Sequence, residues 1–195
     1  IELRLPLVIE ICHLSPRSFS HFVFLFFWYT NVWVSFLKLY KITSSNARNV
    51  DERLGDFLMI STGMSTEDEI TRCVEAGDPN LIFHTNSSYP SPVEDLNLNY
   101  IDHLKETYPD KEIGYSGHEF GLVPSYTAVV KGASWIERHV TLDRTMWGSD
   151  QMASVEPHGL IKLVKDIRSI EASLGKGGRR EVFESELSKR KSLRG

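Results

Sequence analysis

The feature that most narrows what this chain can fold into is an alternation that sets in near Tyr40. A short apolar run is followed by an amphipathic stretch, then by a breaker, and the cycle repeats. Leu39 to Ser44 (LYKITS) reads as a strand, and a weakly amphipathic stretch runs from Arg48 to Leu54. Phe57 to Thr62 (FLMIST) is a continuous apolar run closing in small polar residues, the pattern of a strand covered on both faces. After Gly63, Ser65 is placed to cap a helix with Asp68 as its capping-box partner. Ile70, Cys73 and Val74 form the inner face of that helix, and Gly77, Asp78 and Pro79 stop it. Leu81 to Thr85 is the next strand, followed by a proline-punctuated loop over 89–92. The spacing of Leu98, Ile101 and Leu104 predicts a helix from Asp95 to Tyr108. Ile113 to Ser116 is a strand, Pro124 opens a helix that Gly132 ends, and Trp135 to Thr141 is the last strand. Pro157 then starts a helix whose stripe is Leu160, Leu163, Val164, Ile167, Ile170 and Leu174, with Gly175 as its stop.

Five βα units in succession imply a parallel sheet with helices packed outside it. Their recurrence is close to that of a (β/α)8 TIM barrel of about 250 residues. The expected fold is therefore α/β, an incomplete barrel. A flavodoxin-like open sheet is the alternative that needs no missing strand.

The ends of the strands carry the chemistry. In order they are Lys41 and Ser44; Ser61 and Thr62; Thr85, Asn86, Ser87 and Tyr89; Ser116, Gly117 and His118; Glu137, Arg138 and His139. In a parallel barrel all C-terminal strand ends meet at one mouth, where active sites form. Hydroxyls, backbone amides and a lysine converging there suit a phosphate. Serine and threonine also simply terminate strands, so no single one is diagnostic; the succession is. His118 and His139 lie on adjacent strands, too far apart in sequence to share a helix face. Adjacent barrel strands can aim two imidazoles at one point, and two histidines leave coordination positions open for substrate and water. His13, His21, His84, His103 and His158 read as ordinary hydrogen-bonded core or loop residues. Asp150 in the polar loop GSDQMAS is placed to orient a ligand or a reacting water, and Trp147 to shape the pocket. Strand alternation turns Glu137 to the face opposite Ile136 and Arg138, where it needs a partner; Lys41 is the candidate.

The first forty residues are different material. They hold 10 of the chain's 21 aromatics, and no Lys, Arg, Asp or Glu occurs from Ser18 to Leu37. The run nearly reaches membrane-span length but carries Ser20, His21, Thr30, Asn31 and Ser35. A membrane helix, a buried strand pair and an unrelated segment replacing the true start compete, and the third is favoured. A net charge of -4 with scattered cations gives no electrostatic footprint for nucleic acid. Two cysteines, Cys12 and Cys73, form no framework, which points to a reducing, cytoplasmic compartment, with Cys73 a buried helix residue.

KITS, LMISTGMST, IFHTNSSYPSPVEDLNLNYIDHL, IGYSGHE, WIERHVTLDRTMWGSDQMASVEP and the closing KRKSLRG together resemble the N-acetylneuraminate (sialic acid) synthase family, which includes the legionaminic- and pseudaminic-acid synthases. The resemblance implies a barrel in which phosphoenolpyruvate condenses with the aldehyde of N-acetylmannosamine or a related amino sugar, giving a nine-carbon 2-keto acid and phosphate. It implies His118 and His139 as ligands of Mn²⁺ or Mg²⁺, and Lys41, Ser44, Ser61, Ser87 and Ser116 as phosphoenolpyruvate contacts. It implies Tyr89 as a sugar contact, Asp150 as an acid beside metal and substrate, and a homodimer.

The pattern also departs from the family. Ser45 and Asn46 stand where the family has glycine and an acid, so no carboxylate role is carried over there. Lys41 corresponds to the fourth family strand. The expected content is thus strands four to eight over 41–175, preceded by an unmatched segment 1–40 and followed by a basic tail 176–195 leading toward an antifreeze-like domain. Val8-Ile9-Glu10-Ile11 resembles the family's first strand, but the 30 residues from Glu10 to Lys41 are too few for two more βα units, so that match is read as chance. Little turnover is expected of such a chain. The competing readings are a non-catalytic remnant binding metal or phosphate, a membrane-anchored interaction protein working through residues 18–37, and a Schiff-base aldolase using Lys41.

Overall fold

Among the described residues, five strands, all parallel, form the sheet that carries the candidate site. The computed structural model describes residues 58–194 and, as backbone, the strand β1 (Leu7–Ile11). The other strands are β2 (Met59–Ser61), β3 (Leu81–Thr85), β4 (Glu112–Gly117) and β5 (Trp135–Val140), in the order β1-β5-β4-β3-β2. The helices are α1 (Glu67–Gly77), α2 (Tyr100–Thr107), α3 (Val123–Val130), α4 (Pro157–Leu174) and α5 (Leu187–Arg194). The predicted strand Leu39–Ser44 and the stretch Arg48–Leu54 lie outside the described residues.

Among the described residues, the strand order resembles a barrel-type sheet more than a flavodoxin-like one. β2 to β5 sit side by side in chain order, and the first strand lies beside the last, with Val8 opposite Glu137 and Glu10 opposite His139. That is the neighbour relation of a sheet winding toward closure. A flavodoxin-like sheet would place its first strand inside the order. The segment Leu7–Ile11, whose likeness to the family's first strand was read as chance, is a strand in this sheet. Counting residues to Lys41 said nothing about whether Leu7–Ile11 itself pairs.

Each strand turns alternate residues to opposite faces, and the register aligns them in rows. Ile82 pairs with Ile113, and His84 with Tyr115, which pairs with Ile136. These residues and Ile60 face the helices and meet Ile101, Leu104, Ala128, Val129, Leu163 and Ile167 in one core. Burying each such large aliphatic side chain contributes about 1.5–3 kcal/mol. The intervening rows, Phe83–Gly114–Trp135 and Thr85–Ser116–Glu137, face the other way. A Cβ on Gly114 would come within 2.6 Å of the Phe83 ring and 3.1 Å of the Trp135 Cβ, so glycine there lets both rings close over β4.

Local signals decide the helix ends. Thr66, not Ser65, caps α1, and the Glu69 carboxylate accepts from the Thr66 amide at 2.8 Å. The reciprocal box thus sits one residue later than predicted, because glutamate reaches back to the cap amide. Asp78, at φ 44°, closes α1 in the left-handed region and returns its amide to Val74. α2 starts at Tyr100 rather than Asp95, since Asn97 turns the chain at φ 43° after a short 3-10 turn over Val93–Asp95. Asparagine tolerates that conformation better than most residues. Ile101 and Leu104 are buried as predicted, and Cys73 is half-buried. In α4, Leu163 and Ile167 reach the core, but Leu174, counted in the predicted stripe, is exposed. Within the tail 176–195, α5 is a solvent-facing helix without buried residues.

Candidate functional site

The C-terminal ends of β3, β4 and β5 bring the predicted residues together. Thr85, Ser116 and Glu137 lie side by side in register on the face turned away from the helices. The buried Ser116 hydroxyl donates to the Glu137 carboxylate at 2.8 Å. Ser61, at the end of β2, donates to the Thr85 hydroxyl at 2.8 Å, and the Thr85 amide donates to the Thr62 hydroxyl. Alternation therefore placed Glu137 on the face opposite Ile136 and Arg138. Among the described residues the Ser116 hydroxyl bonds it; Lys41 lies outside them, as does Ser44.

One residue beyond β4, His118 approaches His139 of β5 with ring centroids 5.2 Å apart. The Tyr89 ring lies against both, 5.4 Å from His118 and 5.0 Å from His139. The His118 Nδ1 is 2.6 Å from the Asn86 carbonyl oxygen. A carbonyl can only accept, so Nδ1 carries the proton, and in the neutral ring Nε2 holds the lone pair. That is how a ligating imidazole is usually oriented. The donor set therefore fits a divalent cation to the extent of two imidazoles. No group of three or more metal-ligating side chains occurs among the described residues, so further ligands would come from substrate, water or elsewhere in the chain.

Tyr89 also ties the following loop to the mouth. Its hydroxyl donates to the Asp150 carbonyl at 2.7 Å and lies 3.0 Å from the Ser154 hydroxyl. Ser154 in turn donates to the same carbonyl. The Asp150 carboxylate accepts from Ser149 at 2.7 Å, within the loop. Trp147, read as shaping the pocket, is instead 86% exposed. Beside the mouth a groove of about 750 Å³ is lined by Thr62, Ser65, His84, Thr85, Asn86 and Ser87, among others. The Ser87 hydroxyl is buried and has no hydrogen-bond partner among the described residues, so it is available to a ligand oxygen. His84 is a buried core histidine bonded to the Leu96 carbonyl at 2.7 Å, and burial lowers its pKa. His103 pairs with Glu67 at the surface.

Sequence reading missed Glu119. Its carboxylate is fully buried, pairs with the buried Arg138 guanidinium at 2.7 Å, and accepts from the Tyr115 hydroxyl at 2.8 Å. Burial and the Glu119 charge raise the pKa of that phenol. The signal was there: Arg138 shares a face with Ile136, under the helices, and a charge there demands a carboxylate.

Several known proteins are similar to this chain in sequence, and a solved structure in fold. A model of the NeuB family matches residues 32–179. Human N-acetylneuraminate-9-phosphate synthase is 43% identical over 122 residues, covering 60% of this chain and 34% of the human protein. The N,N'-diacetyllegionaminic acid synthase of Campylobacter jejuni is 34% identical over 153 residues, covering 72% of this chain and 46% of that protein. The crystal structure of an N-acetylneuraminic acid (sialic acid) synthetase from Leptospira borgpetersenii superposes with a TM-score of 0.65 at 36% identity, over 79% of this chain and 57% of that one. The chain thus spans between a third and a half of the length of these two curated relatives. With a matched model covering most of the chain, a parallel sheet in barrel-like order and two imidazoles converging at its mouth, the chain belongs to the NeuB family.

Proposed function

We propose that this chain carries the working mouth of a sialic-acid-synthase-type enzyme, which condenses phosphoenolpyruvate with the aldehyde of N-acetylmannosamine or a related amino sugar. The observation that carries the reading is the convergence of His118 and His139 at 5.2 Å, beside the hydroxyl row of β2 to β4. Bound Mn²⁺ or Mg²⁺ at the two imidazoles would supply Lewis-acid polarisation of the aldehyde. Phosphoenolpyruvate is held by the strand-end hydroxyls Ser61, Ser87 and Ser116, with Lys41 and Ser44 completing the anion site from outside the described residues. The methylene carbon forms the new bond to the aldehyde carbon, and the aldehyde oxygen takes up a proton. Water adds at the former enol carbon and loses a proton; the bond from that carbon to the phosphate oxygen then breaks as the new hydroxyl gives its proton to the departing phosphate, leaving the 2-keto acid and phosphate. In this reading Glu137, which accepts from Ser116, takes up a proton on this face, and Asp150 orients the water or the sugar. Tyr89 closes the sugar side and holds the Asp150 loop.

The barrel is read as family strands four to eight with β1 in the first-strand place. No helix among the described residues is long and apolar enough to cross a membrane; residues 18–37 lie outside them. Calorimetry with Mn²⁺, then with phosphoenolpyruvate added, tests the site directly. Binding of both is expected, with Mn²⁺ binding lost in His118→Ala and slow phosphate release on adding the sugar. A folded chain that binds neither ligand refutes the reading, and binding without any phosphate release favours the non-catalytic remnant.

A further inference from the structure

We infer that the buried Arg138–Glu119 ion pair is a positioning device that sets where His118 and His139 meet, an inference resting on the metal-site reading above. Each member is the chain neighbour of one imidazole: Glu119 follows His118 and Arg138 precedes His139. Both are sealed, at 1% exposure for Arg138 and 0% for Glu119. The pair stands on the helix side of the sheet, behind the mouth.

The guanidinium gathers the backbone that carries His118. Its Nη1 donates to the Glu119 carboxylate at 2.7 Å, the Gly121 carbonyl at 2.9 Å and the Ser125 hydroxyl at 3.0 Å. Its Nη2 donates to the Glu119 carbonyl at 2.7 Å. One side chain of β5 therefore fixes residues 119–121 and the first turn of α3. The Tyr115 hydroxyl holds the second Glu119 oxygen from β4. Gly117 makes room for this packing, since a Cβ there would lie 2.9 Å from the Glu119 carboxylate and 3.1 Å from the Arg138 Cδ. A buried ion pair is often no better for stability than apolar packing, but a fork of fixed donors specifies geometry. Here the geometry specified is the path of the chain through His118 relative to the strand bearing His139.

The pair thus acts through the imidazoles and is a positioning pair, not a catalytic one. The test is Arg138→Lys, which keeps the buried charge but replaces a planar fork by a single ammonium. In the 195-residue chain, Mn²⁺ affinity is read from the free-ion electron paramagnetic resonance signal. Imidazole nitrogen resonances of metal-free protein are read at fixed pH, and near-UV circular dichroism monitors the fold. We expect native dichroism, Mn²⁺ affinity weakened at least about tenfold, and displaced His118 and His139 resonances. Ser125→Ala, which removes one guanidinium acceptor and leaves the ion pair, is expected to shift both readouts in the same direction by a smaller amount. A folded Arg138→Lys with affinity within twofold and unmoved resonances overturns the inference. If Arg138→Lys does not fold, unmoved resonances in folded Ser125→Ala overturn it. Failure of the unsubstituted chain to bind Mn²⁺ sinks the metal-site reading alone, because the metal-free resonances still decide this one.

Discussion

Tyr89 joins the two halves of the candidate site, and its removal in two steps separates the hydroxyl from the ring. Tyr89→Phe deletes the donor to the Asp150 carbonyl and the contact with Ser154. The carbonyl is not stranded, because Ser154 still donates to it. The loss is therefore that of ordinary hydrogen bonds without an unmet buried acceptor, about 1 kcal/mol. Tyr89→Ala also removes the ring packed against both imidazoles. Two aromatic contacts at roughly 0.5–1.5 kcal/mol each, added to the lost burial of a half-exposed ring, bring its cost to about 3–4 kcal/mol. Urea denaturation measures both values, provided the slope with denaturant is unchanged. Hydrogen exchange adds a local readout: amides of 150–155 should lose protection in Tyr89→Phe, while those of β3 and β4 should not. The reasoning fails if the phenylalanine variant costs as much as the alanine variant. It also fails if protection of 150–155 is untouched, for then the hydroxyl does not anchor the loop.

Two further outcomes follow from the same structure. Gly114→Ala drives a methyl to 2.6 Å from the Phe83 ring and should destabilise the chain by about 1–3 kcal/mol through overpacking, read as a shift of the urea midpoint. Burial holds the His84 pKa below its unfolded value, so the unfolded chain binds the proton first as pH falls. The His84 contribution is then complete above the unfolded value near 6.5 and is lost below it; stability measured from pH 7.5 to 5.5 should fall less steeply in His84→Gln.

The order of strands and helices along 58–174 was legible from local pattern, because apolar runs, caps and breakers act within a few residues. Leu81–Thr85 matches the predicted bounds, and Pro157 opens α4 as its fixed φ requires. Where a boundary moved, a neighbouring residue made the better local contact, as Glu69 did for Thr66 and as Asn97 did by turning the chain ahead of α2. The histidines could be nominated from their places at successive strand ends. Their closeness could not, since it depends on strand register and on the path of the chain through residue 118.

Other features belong to the tertiary structure alone. Period-two alternation told that Glu137 and Arg138 face opposite ways, but only the assembled sheet decided that Ser116 receives Glu137 and that Glu119 receives Arg138. The pairing of Leu7–Ile11 beside β5 is of the same kind, because contacts made more than a hundred residues apart leave no local signature. Trp147 shows the converse: an aromatic beside a candidate acid invites a pocket, yet the folded loop turns it to solvent. Sequence pattern sets which backbone conformations are cheap and which faces must be covered. Which polar groups meet behind those faces is settled by packing, where most buried donors and charges find partners among side chains brought from distant positions.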